Sequence, residues 1–99
     1  MFAVFVEATV KDFDTWFPGF VSNSERKSIE AEHGIKCMRV IQSVDNPNHV
    51  FAIMQCPSEE AFDAFESDPR ITAIKEAKAD FYVSPPAKSA AYIPHILEE

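Results

Sequence analysis

Two charges stand alone among apolar residues. Glu7 is the single charge between Phe2 and Val10, and Arg39 is the equivalent anomaly between Cys37 and Ile41. A charge taken out of water must be paired or bound to something polar. The two therefore either form an ion pair, hold a polar group of a ligand, or sit near strand ends and reach water along their stems. Phe13, Trp16, Phe17, Phe20 and Val21 follow at i, i+3, i+4, i+7 and i+8, one aromatic stripe of a helix. Trp16, Phe17 and Phe20 either line an apolar pocket or fill the core. Ser24, Ser28 and Ala31 continue that stripe with small side chains, which leave either a cavity over the sheet or a close helix approach. His33, His49 and His95 lack the spacing of a metal site. His49, beside a predicted hairpin, is placed to accept a proton at a pocket mouth, and His33 suits a helix C-terminus. Glu7, Trp16, Phe20, Arg39 and His49 are the candidate ligand-binding residues; no residue is assigned a catalytic role. The sequence has no G-x-S-x-G, Walker or G-x-G-x-x-G motif, and two glycines cannot build a phosphate loop.

The elements that must position these residues are legible in outline. Phe2 to Val10 reads as a strand apolar on both faces. A helix begins at the aromatic stripe, capped by Asp12 or Asp14. It is expected to kink or restart at Pro18-Gly19 and to run through the polar stretch 22–33 to a stop at Gly34. Residues 35–44 and 49–56 read as strands joined by a hairpin over Asp45-Asn46-Pro47-Asn48. Ser58 caps a second helix with Phe62 and Phe65 on its buried stripe. Asp68-Pro69 restarts it, with Ile71, Ile74 and Ala77 on one face. Residues 80–83 are the candidate fourth strand. Residues 90–97, interrupted by Pro94, read as an edge strand or an arm.

A four-residue hairpin loop puts Val44 opposite His49 and keeps paired positions summing to 93. Cys37 then faces Cys56, within reach of a disulfide, although a cytoplasmic protein keeps two thiols. The same register puts Arg39 beside Met54 and Ile41 beside Ala52 on one face, with Met38, Val40, Phe51 and Ile53 on the other.

The order strand, helix, strand, strand, helix, strand is the ferredoxin-like βαββαβ arrangement: an α+β fold with a four-stranded antiparallel sheet and helices on one face. The strands carry apolar residues at both parities, so the second face needs cover. A homodimer packed sheet against sheet supplies it, because two-fold symmetry makes one patch its own complement. The 99 residues hold one domain, with 86–99 as the C-terminal arm or edge strand. A composition 46% apolar with nine phenylalanines excludes disorder. Nine Lys and Arg against sixteen Asp and Glu give a net charge of -7, which argues against a nucleic-acid partner. The longest apolar stretch, Met1 to Val6, is too short for a membrane span and lacks the basic start of a signal peptide, so a cytoplasmic location is expected.

The run Val10-Lys11-Asp12-Phe13-Asp14-Thr15-Trp16, then Phe20, resembles the V-x-D-[FY]-D-x-W opening of small proteins in the dimeric α/β barrel superfamily, related to the antibiotic-biosynthesis monooxygenase-like domains. Arg39 six residues before Asp45-Asn46-Pro47-Asn48 resembles that group's hairpin, and Ala61-Phe62, Phe65, Ser67 and Pro69 resemble its second helix. The resemblance spans roughly 4–86. It implies a homodimer whose sheets form a barrel, with a pocket between sheet and helices or within the barrel. Members include cofactor-free oxygenases, haem-degrading enzymes and lactone isomerases. The chain departs from the haem-degrading pattern, having no Asn on the first strand and no Trp and His pair in its later half, and no cofactor is expected. Two function classes follow. One is a small-molecule-binding dimer that takes an apolar or aromatic ligand, with a cofactor-independent monooxygenase or isomerase as its enzymatic form. The other is a non-catalytic module for a metabolite or protein.

Overall fold

The computed structural model describes residues 2–92. Strand β1 (Phe2–Thr9) leads into α1 (Phe13–Val21) and α2 (Ser24–Glu32). The hairpin of β2 (Lys36–Gln42) and β3 (His49–Cys56) follows. Then come α3 (Glu59–Ser67), α4 (Pro69–Lys78), a 3-10 turn (Ala79–Phe81) and β4 (Ala87–Tyr92). The four strands are antiparallel in the order β2-β3-β1-β4, the ferredoxin-like arrangement.

Capping chemistry sets the helix boundaries. Asp12 accepts the Thr15 N–H at the start of α1, Asn23 that of Arg26 at the start of α2, and Ser58 that of Ala61 at the start of α3. The kink or restart expected at Pro18-Gly19 does not occur: the first helical stretch runs through both residues. Pro18 lies inside α1, and the chain restarts at Asn23. Pro18, the sixth residue of α1, costs the helix only the one hydrogen bond its N–H would have made to the Asp14 carbonyl, whereas Asn23 offers the next helix a side-chain oxygen. The restart resets the helical phase, so Arg26, Ile29 and Glu30 turn inward and Ser24, Ser28 and Ala31 are exposed. The expected small-residue stripe therefore lines nothing. Gly34 ends α2 at φ 71°, where a Cβ would also stand 2.7 Å from the Pro57 ring. Asp68 closes α3 and caps α4 through the Arg70 N–H. Ala77, placed on the buried face by spacing, is exposed, while Ile71 is fully buried.

The hairpin differs from its expected register by two offsets. Ser43 N–H donates to His49 O, so the loop runs over Val44 to Asn48, one residue longer than expected. The reversal is an Asn46-Pro47-Asn48-His49 turn closed by the His49 N–H on Asn46 O, with proline at its second position. Val44 is left in the loop, 98% exposed. Arg39 consequently pairs with Ile53, Val40 with Ala52 and Ile41 with Phe51. Arg39 thus lies on the opposite face from the one expected, and so does Val40. A β-bulge at Met38 then restores the phase, and Cys37 pairs with Met54. Cys37 therefore does not face Cys56, which pairs on its other side with Phe2, and both thiols are free.

The fourth strand is Ala87–Tyr92, not 80–83. Asp80 belongs to the 3-10 turn, and Tyr82 makes an isolated bridge to Val10. Pairing of β4 with β1 makes it an edge strand, while Pro94 and the rest of the predicted segment lie outside the described residues. One sheet face carries the helices. Phe2, Val4, Met54 and Cys56 pack there with Ile29, Phe65 and Ile71, and Ala8 and Val50 with Trp16. The other face shows Phe5, Ile41, Phe51 and Ile53, with Phe5 42% and Ile41 44% exposed.

Candidate functional site

Between the helices and the sheet lies a cavity of about 520 Å³, within the size range of small-molecule sites. Trp16 and Phe20 reach it from α1, Phe65 from α3, and Phe81 and Tyr82 from the segment after α4, with Val6 and Met54 as its sheet floor. The rings are mutually fixed. Trp16 stacks on Phe20 with centroids 4.9 Å apart, and its indole N–H donates to the Tyr82 hydroxyl at 2.9 Å. Burying an indole requires such a partner.

Distant parts of the chain hold this wall in place. Asn48, at the end of the hairpin loop, accepts the Phe13 N–H at 2.9 Å and gives its own carbonyl to the Val10 N–H at 2.8 Å. The hairpin thereby fixes the β1–α1 turn and the angle at which Trp16 enters. Across from it, Lys11 N–H donates to Phe81 O and Val83 N–H to Thr9 O, both at 2.9 Å, tying the 81–83 segment to the end of β1.

Charged groups sit at the rim and roof. Arg26 lies over the Phe20 ring at 5.0 Å and the Phe65 ring at 5.7 Å, with its Nε on Glu30 at 2.9 Å. Glu66, next to the buried Phe65, contacts both Lys75 and Lys88. Burial and the nearby Lys88 ammonium push the Lys75 ammonium down to about 8. Lys78 Nζ stands 5.1 Å from the centre of the Phe81 ring. The arrangement can stack a flat ligand on rings, hold a polar substituent by a hydroxyl or an ammonium, and offer a lysine amine as a base.

The five residues singled out from the sequence fall in two places. Trp16 and Phe20 line the cavity. Glu7, His49 and Arg39 lie on the other sheet face: Glu7 opposite Phe51, His49 opposite Thr9 and Arg39 opposite Ile53. His49 Nε2 donates to Glu7 Oε2 at 2.8 Å, so Glu7 is paired with a histidine, and Arg39 is exposed. A single pocket around Glu7, Arg39 and Trp16 does not form. The cavity's charged residues escaped the sequence reading, although a signal existed. Ile71, Ile74, Lys75 and Lys78 share one helical stripe (i, i+3, i+4, i+7), as do Phe62, Phe65 and Glu66. Charges that continue a buried apolar stripe must end beside the core. Among the described residues no group of His, Cys, Asp and Glu could hold a metal ion, and no helix is long and apolar enough to cross a membrane.

No family model matches the sequence, and no curated protein matches it. Solved structures do match in three dimensions. A monooxygenase from the gene ActVA-Orf6 of Streptomyces coelicolor, in complex with the ligand nanaomycin D, superposes at a TM-score of 0.78 and 20% identity, covering 99% of this chain and 91% of that one. A variant of SnoaB, a cofactor-independent oxygenase from Streptomyces nogalater, gives 0.73 and 15%, covering 99% and 97%. A protein described as an antibiotic biosynthesis monooxygenase gives 0.69 and 14%, covering 94% and 98%. The chain has the fold of the antibiotic biosynthesis monooxygenase-like proteins. At such identities the likeness is one of fold, which does not by itself carry an activity.

Proposed function

We propose that this chain is a homodimeric binding protein for a small aromatic or polyketide-like molecule, held in the cavity between helices and sheet. The observation that carries the reading is the cavity itself, about 520 Å³, walled by the rings of Trp16, Phe20, Phe65, Phe81 and Tyr82 with charged side chains at its rim. The shared fold supports it, since one solved relative of that shape holds nanaomycin D. The apolar face with Phe5, Ile41, Phe51 and Ile53 supports the dimer, because two copies related by a two-fold axis cover it without any other partner. Glu7, His49 and Arg39 then lie between the two sheets. Trp16 is the only tryptophan, so its fluorescence reports this wall alone. Titration with 1,8-dihydroxyanthraquinone is expected to quench it saturably in the micromolar range; linear, non-saturating quenching would overturn the reading.

A second reading, a cofactor-independent monooxygenase, is favoured by the lowered Lys75 ammonium at the rim. A neutral amine there would remove a proton from an acidic C–H of a hydroxylated anthrone. Dioxygen would then turn the CH2 into a carbonyl, with its second oxygen atom leaving as water, so no external reductant enters. Oxygen uptake with 1,8-dihydroxyanthrone and no added cofactor, lost in Lys75→Met, is the expected result. Uptake equal to that of buffer would leave a binding protein.

A further inference from the structure

We propose that the cavity selects an anionic ligand, a planar aromatic molecule carrying a carboxylate that Lys78 receives; this rests on the reading of the cavity as the ligand site. The chain is acidic, with nine Lys and Arg against sixteen Asp and Glu, yet Arg26, Lys75, Lys78 and Lys88 all line this one cavity and Glu66 is the single acid in its lining. The charges do not cancel. Arg26 is matched by Glu30 at 2.9 Å. Lys75 and Lys88 share the one carboxylate of Glu66, which leaves one positive charge over. Lys78 meets no carboxylate among the described residues, its Nζ resting on the Phe81 ring. A Cβ at Gly19 would stand 3.4 Å from that Nζ, so the glycine leaves the ammonium room against α1.

Uncompensated cations beside low-dielectric walls focus a positive potential into the space they border. Burial first, and then the neighbouring charges of Lys88 and Arg26, push the Lys75 ammonium down in the same space. An arriving carboxylate would relieve both. Glu66 contacts both Lys75 and Lys88 and would repel an anion from either, which places the anion at Lys78, one turn further along α4 from Lys75.

The test compares two probes of one shape, anthraquinone-2-carboxylate and anthraquinone-2-carboxamide, by quenching of Trp16 at pH 7 and low salt. The carboxylate is expected to bind at least tenfold more tightly. In Lys78→Met, which keeps the stem's packing, that preference should fall to within about threefold while the amide's affinity stays unchanged. Lys78→Gln serves equally if the methionine variant does not fold. Equal affinity of wild type for both probes would overturn the charge selection and leave the cavity as a ligand site. Binding of neither would overturn both, and a preference unchanged in Lys78→Met would overturn the role of Lys78.

Discussion

Asp68 shows how much one carboxylate organises here. It caps α4 through the Arg70 N–H at 2.9 Å, takes the Arg70 guanidinium at 2.8 Å and 3.1 Å, and accepts from His33 Nε2 at 3.1 Å. Arg70 continues to Glu32 at 2.9 Å, so the end of α2 is tied to the α3–α4 junction. The Arg70 and His33 hydrogen bonds hold the Asp68 carboxyl well below the usual carboxylate range, and Arg70 also lowers that of Glu32. Groups whose folded pKa lies below the unfolded value stabilise the protein above the unfolded pKa and lose that contribution as pH falls through the folded one. The melting temperature should therefore decline as pH drops below about 4, the ordinary carboxylate value. Asp68→Asn should melt lower at neutral pH and show a flatter dependence in acid. Parallel curves for the two proteins would contradict this role. None of this network was legible beyond the Asp68-Pro69 cap, because the partners Glu32 and His33 lie on another helix and only packing brings them near.

At the scale of elements, the aromatic stripe, the caps and the Gly34 stop were readable because each depends on residues a few positions apart. The hairpin register was not. Whether Val44 or Ser43 is the last paired residue turns on where a proline turn closes, and the bulge at Met38 depends on packing that a local rule does not contain. The first of those one-residue offsets decides that Arg39 faces away from the helices, and the second returns Cys37 to the helix side. The fourth strand was misplaced because Ser84-Pro85-Pro86 ends a run of strand-like residues, yet 81–83 is used to close the cavity and the small residues of Ala87–Tyr92 pair with β1. The restart at Asn23 has a direct consequence. It sets the phase that turns Arg26, Ile29 and Glu30 inward, so Asn23→Ala should cost about 1 kcal/mol in urea unfolding and Asn23→Asp should restore most of it. Full stability in the alanine variant would show that the break is held by something other than the cap.

For the whole molecule, the sheet has one face under helices and one open, and the proposed homodimer covers the open face with a second copy. Sedimentation equilibrium should give twice 11.1 kDa at micromolar concentration. Phe5→Asp should give a folded monomer, since Phe5 contributes to the open face and not to the helix-side core. A variant that stays dimeric would remove the sheet face from the interface. The division of labour between the faces is the central claim: apolar association on one, ligand chemistry beneath the helices on the other. Two-dimensional NMR of the amides during titration with anthraquinone-2-carboxylate tests it most directly. Shifts are expected on the Trp16 indole, Gly19, Phe65 and 78–82; shifts gathered instead on Phe5, Glu7, His49 and Phe51 would overturn the division.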